Sequence, residues 1–146
     1  MSALLGNRVL QASVIAWAAA QVIKFFLELF INRRVNFRAL TTMGGMPSSH
    51  SAAVSSLATG IAITDGLGSS IFALALWFAA VTMYDAAGIR RAASIQARIL
   101  NQMIEELFQG HPISDVKLRE LLGHTPIEVL AGMALGIIVA YWWMQR

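Results

Sequence analysis

Cysteine is absent from this sequence, and charged residues are scarce. Without cysteine, disulfides, thiol catalysis and thiolate metal sites are excluded. Charged residues make up 13% of the 146 residues and hydrophobic residues 57%, whereas about a quarter of a soluble domain is charged. The net charge of +3 is small and the basic residues are not interleaved with aromatics, which argues against a nucleic-acid partner. The composition therefore predicts a single membrane-embedded domain over residues 1–146.

Four stretches carry little or no charge and approach the roughly 20 residues that a membrane crossing needs. They cover residues 9–31, 47–64, 67–83 and 126–144. The second is short and rich in Ser, Ala and Gly, which favours close helix packing, with a re-entrant segment as the alternative. Beyond Arg91, apolar residues recur on one face of an amphipathic helix. The sequence thus predicts an all-α integral membrane protein, a compact bundle of about four membrane-embedded helices plus a surface amphipathic helix.

Basic residues are unevenly distributed between the predicted loops. One side of the membrane would carry Arg33, Arg34, Arg38, Arg90, Arg91, Arg98, Lys117 and Arg119. The other side would carry Arg8, Arg146 and the acidic Asp65. The positive-inside rule then predicts a multi-pass protein of the cell inner membrane, or an equivalent membrane, with its basic loops in the cytoplasm.

The first apolar segment contains a polar stripe. Lys24 and Glu28 are four residues apart, and Gln21 and Asn32 extend the same helix face. Charges at such a depth normally face a bundle interior or a water-filled cavity. The alternative is a Lys24–Glu28 pair whose side chains extend toward the membrane interface.

Residues 44–51 read Gly-Gly-Met-Pro-Ser-Ser-His-Ser, which is typical of a flexible loop entering a helix. A helix start has free backbone N–H groups and a positive dipole end, so this stretch is a candidate anion site beside His50. Pro and Ser are also ordinary helix openers, and a capped helix with a polar first turn is the alternative.

A second candidate group begins at His124. Glu128 lies four residues later, close enough to accept a hydrogen bond from one imidazole nitrogen and leave the other as nucleophile or base. Thr125 and Glu128 also form the pattern of a capping box, with Pro126 at the first helical position. The two interpretations are compatible with each other.

The polar inventory on the basic side consists of two histidines, several fixed cations and a glycine-led helix start. It contains no metal-ligand cluster. Such a set suits metal-free chemistry on a phosphate, without a cofactor.

Three segments in order carry a family resemblance: residues 44–52 (Gly-Gly-Met-Pro-Ser-Ser-His-Ser-Ala), 84–91 (Tyr-Asp-Ala-Ala-Gly-Ile-Arg-Arg) and 121–129 (Leu-Leu-Gly-His-Thr-Pro-Ile-Glu-Val). Together with Lys24 and Arg33, they resemble the type 2 phosphatidic acid phosphatases, which are related to vanadium haloperoxidases. The amino-acid sequence of the three segments is more similar to the divergent PAP2 branch of that superfamily. The resemblance spans residues 24–132.

The resemblance implies three catalytic residues, with His124 as nucleophile, His50 as general acid and Glu128 as the group that orients His124. The implied phosphate-binding residues are Lys24, Arg33 or Arg34, Ser48, Ser49, and Arg90 or Arg91.

The sequence also departs from the family pattern. Ser49 stands where the family has glycine, Glu128 stands for aspartate, and a long insertion separates Arg91 from His124. Arg119 is nearer to His124 and is the alternative for the arginine role.

The resemblance implies a metal-independent phosphatase that hydrolyses a lipid phosphate monoester through a phosphohistidine. Phosphatidic acid, phosphatidylglycerophosphate and prenyl phosphate are the expected substrate types. The alternatives are an inactive relative that binds anionic lipid through its basic loops, and a small transporter that uses Lys24 and Glu28 as a charge relay. The expected partners are the bilayer and a membrane lipid, and a homo-oligomer is compatible with the sequence.

Overall fold

The computed structural model describes residues 2–32, 45–107 and 124–146, and every regular element within these ranges is a helix. The helices are α1 (Ser2–Leu5), α2 (Arg8–Asn32), α3 (Ser49–Asp65), α4 (Ser70–Ala87), α5 (Ile89–Leu107) and α6 (Pro126–Met144). The predicted all-α class is confirmed for these ranges.

Three helices are long and apolar enough to cross a membrane: Arg8–Phe30 within α2, then α4 and α6. These correspond to the first, third and fourth apolar segments of the sequence. The expected fourth membrane-embedded helix corresponds to α3, which has 17 residues. At 1.5 Å per residue, α3 is about 26 Å long, slightly less than the roughly 30 Å hydrocarbon core of a bilayer.

Helix α3 packs against α2, α4 and α6 and so lies at the centre of the bundle. Its contacts are made largely by small residues, as its composition predicted. Ala52 forms a buried cluster with Ala16 and Ala20 of α2. A Cβ on Gly136 of α6 would overlap Ser55 Oγ and the Ala52 carbonyl oxygen. Backbones therefore approach closely on two sides of α3, which is how helices pack where lipid removes the hydrophobic drive for association.

The helices that pack around α3 alternate in direction, so the bundle has two ends. We call one the His124 end, where α2 and α4 finish and α3 and α6 begin. There Ser48 N–H donates to Glu128 O at 3.0 Å, and His124 N–H donates to Ala86 O at 3.2 Å. We call the other the Arg8 end.

Hydrogen bonds also connect elements at the Arg8 end. Arg8 Nη2 donates to the carbonyl oxygen of Trp143 at 2.7 Å, and Trp143 Nε1 donates to Gln11 Oε1 at 3.2 Å. The Arg146 guanidinium lies 3.7 Å from the ring centre of Trp142. The two hydrogen bonds join the start of α2 to the end of α6, where the sequence predicted an aromatic belt.

Large apolar side chains point outward from the spanning helices. Phe30, Trp77 and Leu74 are 76%, 71% and 67% exposed, respectively. In contrast, the buried apolar side chains are mostly alanine. This distribution suits a bundle surrounded by hydrocarbon and closely packed inside.

Helix α5 follows Gly88 directly and begins at Ile89, before the amphipathic pattern that the sequence shows beyond Arg91. Its contacts with other helices in the described ranges are chiefly with α4. Ile95, Ile99 and Met103 are between 44% and 53% exposed. The predicted amphipathic helix is therefore present, with much of its apolar face exposed.

Candidate functional site

The start of α6 is a complete capping box. Thr125 is the N-cap, its Oγ1 accepts from Glu128 N–H at 3.4 Å, and Pro126 occupies the first turn. In return, Glu128 Oε2 accepts from Thr125 N–H at 3.0 Å. The local sequence thus fixes the Glu128 carboxylate over the helix start rather than leaving it in solvent.

The same carboxylate oxygen contacts the imidazole of His124. The distance from His124 Nδ1 to Glu128 Oε2 is 3.0 Å, so the hydrogen bond that the sequence predicted is present beside the capping box. A carboxylate is an acceptor, so it favours the tautomer with hydrogen on Nδ1 and a lone pair on Nε2. His124 is 4% exposed, and this environment leaves Nε2 as its nucleophilic atom.

The start of α3 lies directly against the start of α6. Ser48 is the N-cap of α3, and its Oγ accepts from Ser51 N–H at 3.3 Å and from Ser51 Oγ at 2.9 Å. Its backbone N–H donates to the main-chain oxygen of Glu128. A Cβ on Gly132 would overlap the Ser48 carbonyl oxygen. Glycine at 132 therefore allows the two helix starts to touch, and this brings the Ser48 hydroxyl to the same end as the His124–Glu128 pair.

Lys24 reaches the same end from α2. Its side chain lies along Gly45, where a Cβ would be 3.5 Å from Lys24 Cγ and Cδ. Gly45 has φ +81°, in the region that favours glycine. The carboxylates of Glu128 and Glu28 both attract the Lys24 ammonium electrostatically. Lys24 is only 5% exposed, so the structure favours the inward-facing interpretation over a Lys24–Glu28 pair extended toward the interface.

The remaining predicted site residues are placed less completely. Ser49 is buried and His50 is exposed in the first turn of α3. Arg90 and Arg91 are in the first turn of α5, and their side chains lie outside what the structure describes. Arg33, Arg34 and Arg119 fall outside the described residues.

The sequence alone did not predict two groups that help to hold this arrangement in place. One is the carbonyl oxygen of Ala86, which holds the backbone of His124 against the last turn of α4. The other is Ser51, whose two hydrogen bonds fix the Ser48 hydroxyl. A main-chain acceptor leaves no sequence signal, whereas Ser51 is the third residue after an N-cap serine, where a capping interaction is expected.

The described part of the site combines an imidazole–carboxylate pair, a serine hydroxyl and a lysine. Lys24, Ser48 and His124 are 5%, 0% and 4% exposed. Within residues 2–32, 45–107 and 124–146, no group of three or more metal-ligating side chains is assembled. Buried in this way, a cation and oriented donors act in low dielectric, where they stabilise a phosphoryl group strongly.

The fold and this site define a small helical membrane protein with an imidazole–carboxylate pair at one end of its bundle. The sequence profile of the Divergent PAP2 family matches residues 5–139, and the chain belongs to that family. It is similar to the uncharacterized membrane protein YuiD of Bacillus subtilis (strain 168). The two are 41% identical over 156 residues, which covers 97% of this chain and 99% of the relative. No solved structure matches the chain.

Proposed function

We propose that this protein is a metal-independent phosphatase that hydrolyses a lipid phosphate monoester through a phosphohistidine. The observation that carries the proposal is the 3.0 Å hydrogen bond between His124 Nδ1 and Glu128, beside the Ser48 hydroxyl and the buried Lys24. Family membership supports a relationship to phosphatases. The membrane-embedded fold favours a lipid as the substrate.

The first step of the proposed reaction is attack by His124 Nε2 on phosphorus. The P–N bond forms as the P–O bond to the lipid breaks, and His50 gives its proton to the leaving alkoxide. Glu128 holds the Nδ1–H tautomer and stabilises the positive charge that the imidazole gains. Lys24 and the Ser48 hydroxyl offset the charge on the phosphoryl oxygens. The predicted phosphate-binding arginines, Arg33 or Arg34 and Arg90 or Arg91, contribute in the same way.

The second step is hydrolysis of the phosphohistidine. His50, now neutral, removes a proton from water, the oxygen attacks phosphorus and the P–N bond breaks. Inorganic phosphate leaves, and both histidines return to their starting states. The overall products are phosphate and the lipid alcohol.

The test uses purified full-length protein in lipid nanodiscs with excess EDTA. Wild-type protein should release phosphate from at least one of phosphatidic acid, phosphatidylglycerophosphate and a prenyl phosphate. His124→Ala should lower kcat by roughly 1,000-fold or more, as removal of a nucleophile does in comparable covalent mechanisms. Equal rates for wild type and His124→Ala would disprove the phosphohistidine mechanism. The matched control is His111→Ala, since His111 is not part of the proposed site.

A second candidate function is binding of anionic lipid without turnover. The observation that favours it is the burial of Lys24, Ser48 and His124, which leaves a lipid phosphate no direct access to the proposed nucleophile in this arrangement. Vesicle flotation should then show binding to phosphatidic acid that survives a His50→Ala, His124→Ala double substitution. Phosphate release by wild type in the assay above would decide against this candidate.

We also propose that α3 is the fourth membrane-embedded helix and that the His124 end faces the cytoplasm. Support comes from the central position of α3 and from the basic residues next to that end. Because the chain has no native cysteine, single substitutions Gly88→Cys and Gly66→Cys can report on the two ends. An impermeant maleimide added outside intact cells should label Gly66→Cys alone. Labelling of Gly88→Cys alone would reverse the orientation.

A further inference from the structure

We infer that Thr125 is a positioning residue for catalysis, acting through the Glu128 carboxylate on the His124 imidazole. The inference rests on the proposed phosphatase function. Thr125 contacts neither the imidazole nor any proposed phosphate ligand through its side chain in the described hydrogen bonds. Its effect is on the angle at which the carboxylate meets His124.

The geometry centres on a single oxygen atom. Glu128 Oε2 accepts from His124 Nδ1 at 3.0 Å and from Thr125 N–H at 3.0 Å. Thr125 Oγ1 accepts from Glu128 N–H at 3.4 Å and so holds the backbone from which the carboxylate projects. The helix cap and the orientation of His124 are therefore parts of one hydrogen-bonded unit.

The backbone that carries the imidazole is also held from outside this unit. His124 N–H donates to Ala86 O of α4, and the main-chain oxygen of Glu128 accepts from Ser48 N–H of α3. The backbone on both sides of Thr125 is thus held to other helices. The first turn of α6 could still rotate locally relative to His124. The hydrogen bond of the Thr125 hydroxyl restricts this rotation.

A cap elsewhere in the bundle provides a control of the same chemistry. Ser69 is the N-cap of α4, and its Oγ accepts from Phe72 N–H at 3.2 Å. It lies at the Arg8 end and is not connected to the His124–Glu128 pair. Loss of this cap should cost helix stability alone.

The experiment compares Thr125→Gly, Thr125→Ala, Thr125→Ser and Ser69→Ala in nanodiscs, measuring kcat, KM and thermal midpoint on the substrate that wild type hydrolyses best. Glycine at an N-cap retains most of the helix stability but has no hydroxyl.

We expect Thr125→Gly and Thr125→Ala to lower kcat by roughly 10-fold to 100-fold, since small misplacements of reacting groups have effects of this size. KM should change little, because the proposed phosphate ligands lie on other elements. Thr125→Ser should restore kcat, and Ser69→Ala should leave it unchanged.

The outcomes separate this inference from the function on which it rests. If wild type releases no phosphate from any of the three lipid classes, the phosphatase proposal fails, and the role of Thr125 fails with it. If wild type is active and folded Thr125→Gly has the kcat of wild type, only the role of Thr125 is overturned. A low kcat in Thr125→Ser as well would likewise reject the hydroxyl as the positioning group. Thr125→Gly also decides the question if Thr125→Ala does not fold.

Discussion

The two ends of the helical bundle use hydrogen bonds in different ways. At the Arg8 end, Arg8 and Trp143 join two helix termini through exposed or half-buried groups. At the His124 end, Lys24, Ser48 and His124 are buried, and one oxygen of Glu128 accepts hydrogen bonds from both His124 and Thr125. A shared acceptor makes each donor depend on the other, whereas the two hydrogen bonds at the Arg8 end use separate acceptors, Trp143 O and Gln11 Oε1. The end with a shared carboxylate is therefore the end suited to chemistry.

Among the substitutions that compare the two ends of the bundle, the largest expected effect comes from Glu128→Gln. The amide keeps the size of the side chain but can donate to His124 Nδ1, which would place the proton on Nε2 and remove the nucleophilic lone pair. We expect kcat to fall by roughly 100-fold or more, because an amide in the equivalent position of a catalytic triad has such an effect. The measurement is phosphate release in nanodiscs.

The matched control for this substitution is Asp65→Asn, which neutralises an exposed carboxylate at the Arg8 end. It should leave kcat within about twofold of wild type, as an exposed position away from the site allows. Similar losses from both substitutions would mean that the charge of the protein, rather than the His124–Glu128 hydrogen bond, sets the rate.

A smaller effect is expected from adding a methyl group between α3 and α6. Gly132→Ala and Gly136→Ala would each force apart backbone atoms of the two helices. We expect each to lower the free energy of unfolding by about 1–3 kcal/mol, which is typical of overpacking. Gly132→Ala should also reduce activity, because its new Cβ would displace Ser48.

Gly60 provides a comparison for these glycines, since a Cβ there would meet Val9 Cγ1 at 2.9 Å. Val9 is β-branched and keeps one rotamer in a helix, so a small shift of α2 must relieve this contact, but the atom met is a side-chain carbon and alanine is favoured over glycine in a helix by up to about 1 kcal/mol. Gly60→Ala should therefore be less destabilising than Gly136→Ala in denaturant titrations in detergent micelles. Equal destabilisation by Gly60→Ala and Gly136→Ala would contradict the close backbone contact between α3 and α6.

The smallest effect is expected from Arg8→Ala. This substitution removes the hydrogen bond to Trp143 O, and an exposed bond of this kind contributes no more than about 1 kcal/mol. The thermal midpoint should fall slightly, while kcat/KM stays unchanged. Arg146→Ala, which removes only the contact with the Trp142 ring, should have a still smaller effect on the midpoint. Loss of activity in Arg8→Ala would show that the two ends are coupled.

Apolar length and helix capping predicted much of this fold. The bounds of α6 agree with the sequence prediction because Pro126 and the Thr125 capping box mark its start unambiguously. The His124–Glu128 contact was also predictable, because a capping box folds the Glu128 side chain back toward the residues that precede the helix. The attraction between Lys24 and Glu128 was not, because within one helix Glu28 is the expected partner. The position of Lys24 relative to Glu128 depends on how α2 and α6 pack around α3, and the periodicity within one helix does not determine that packing.

The burial of Lys24, Ser48 and His124 also has a kinetic consequence. With these side chains 5%, 0% and 4% exposed, a phosphate can touch them only after part of the chain has moved aside. Binding and release would then be gated, and opening of the His124 end would be a step of the reaction cycle separate from bond cleavage. Such a step would be common to all substrates, whatever the chemical reactivity of their leaving alcohols.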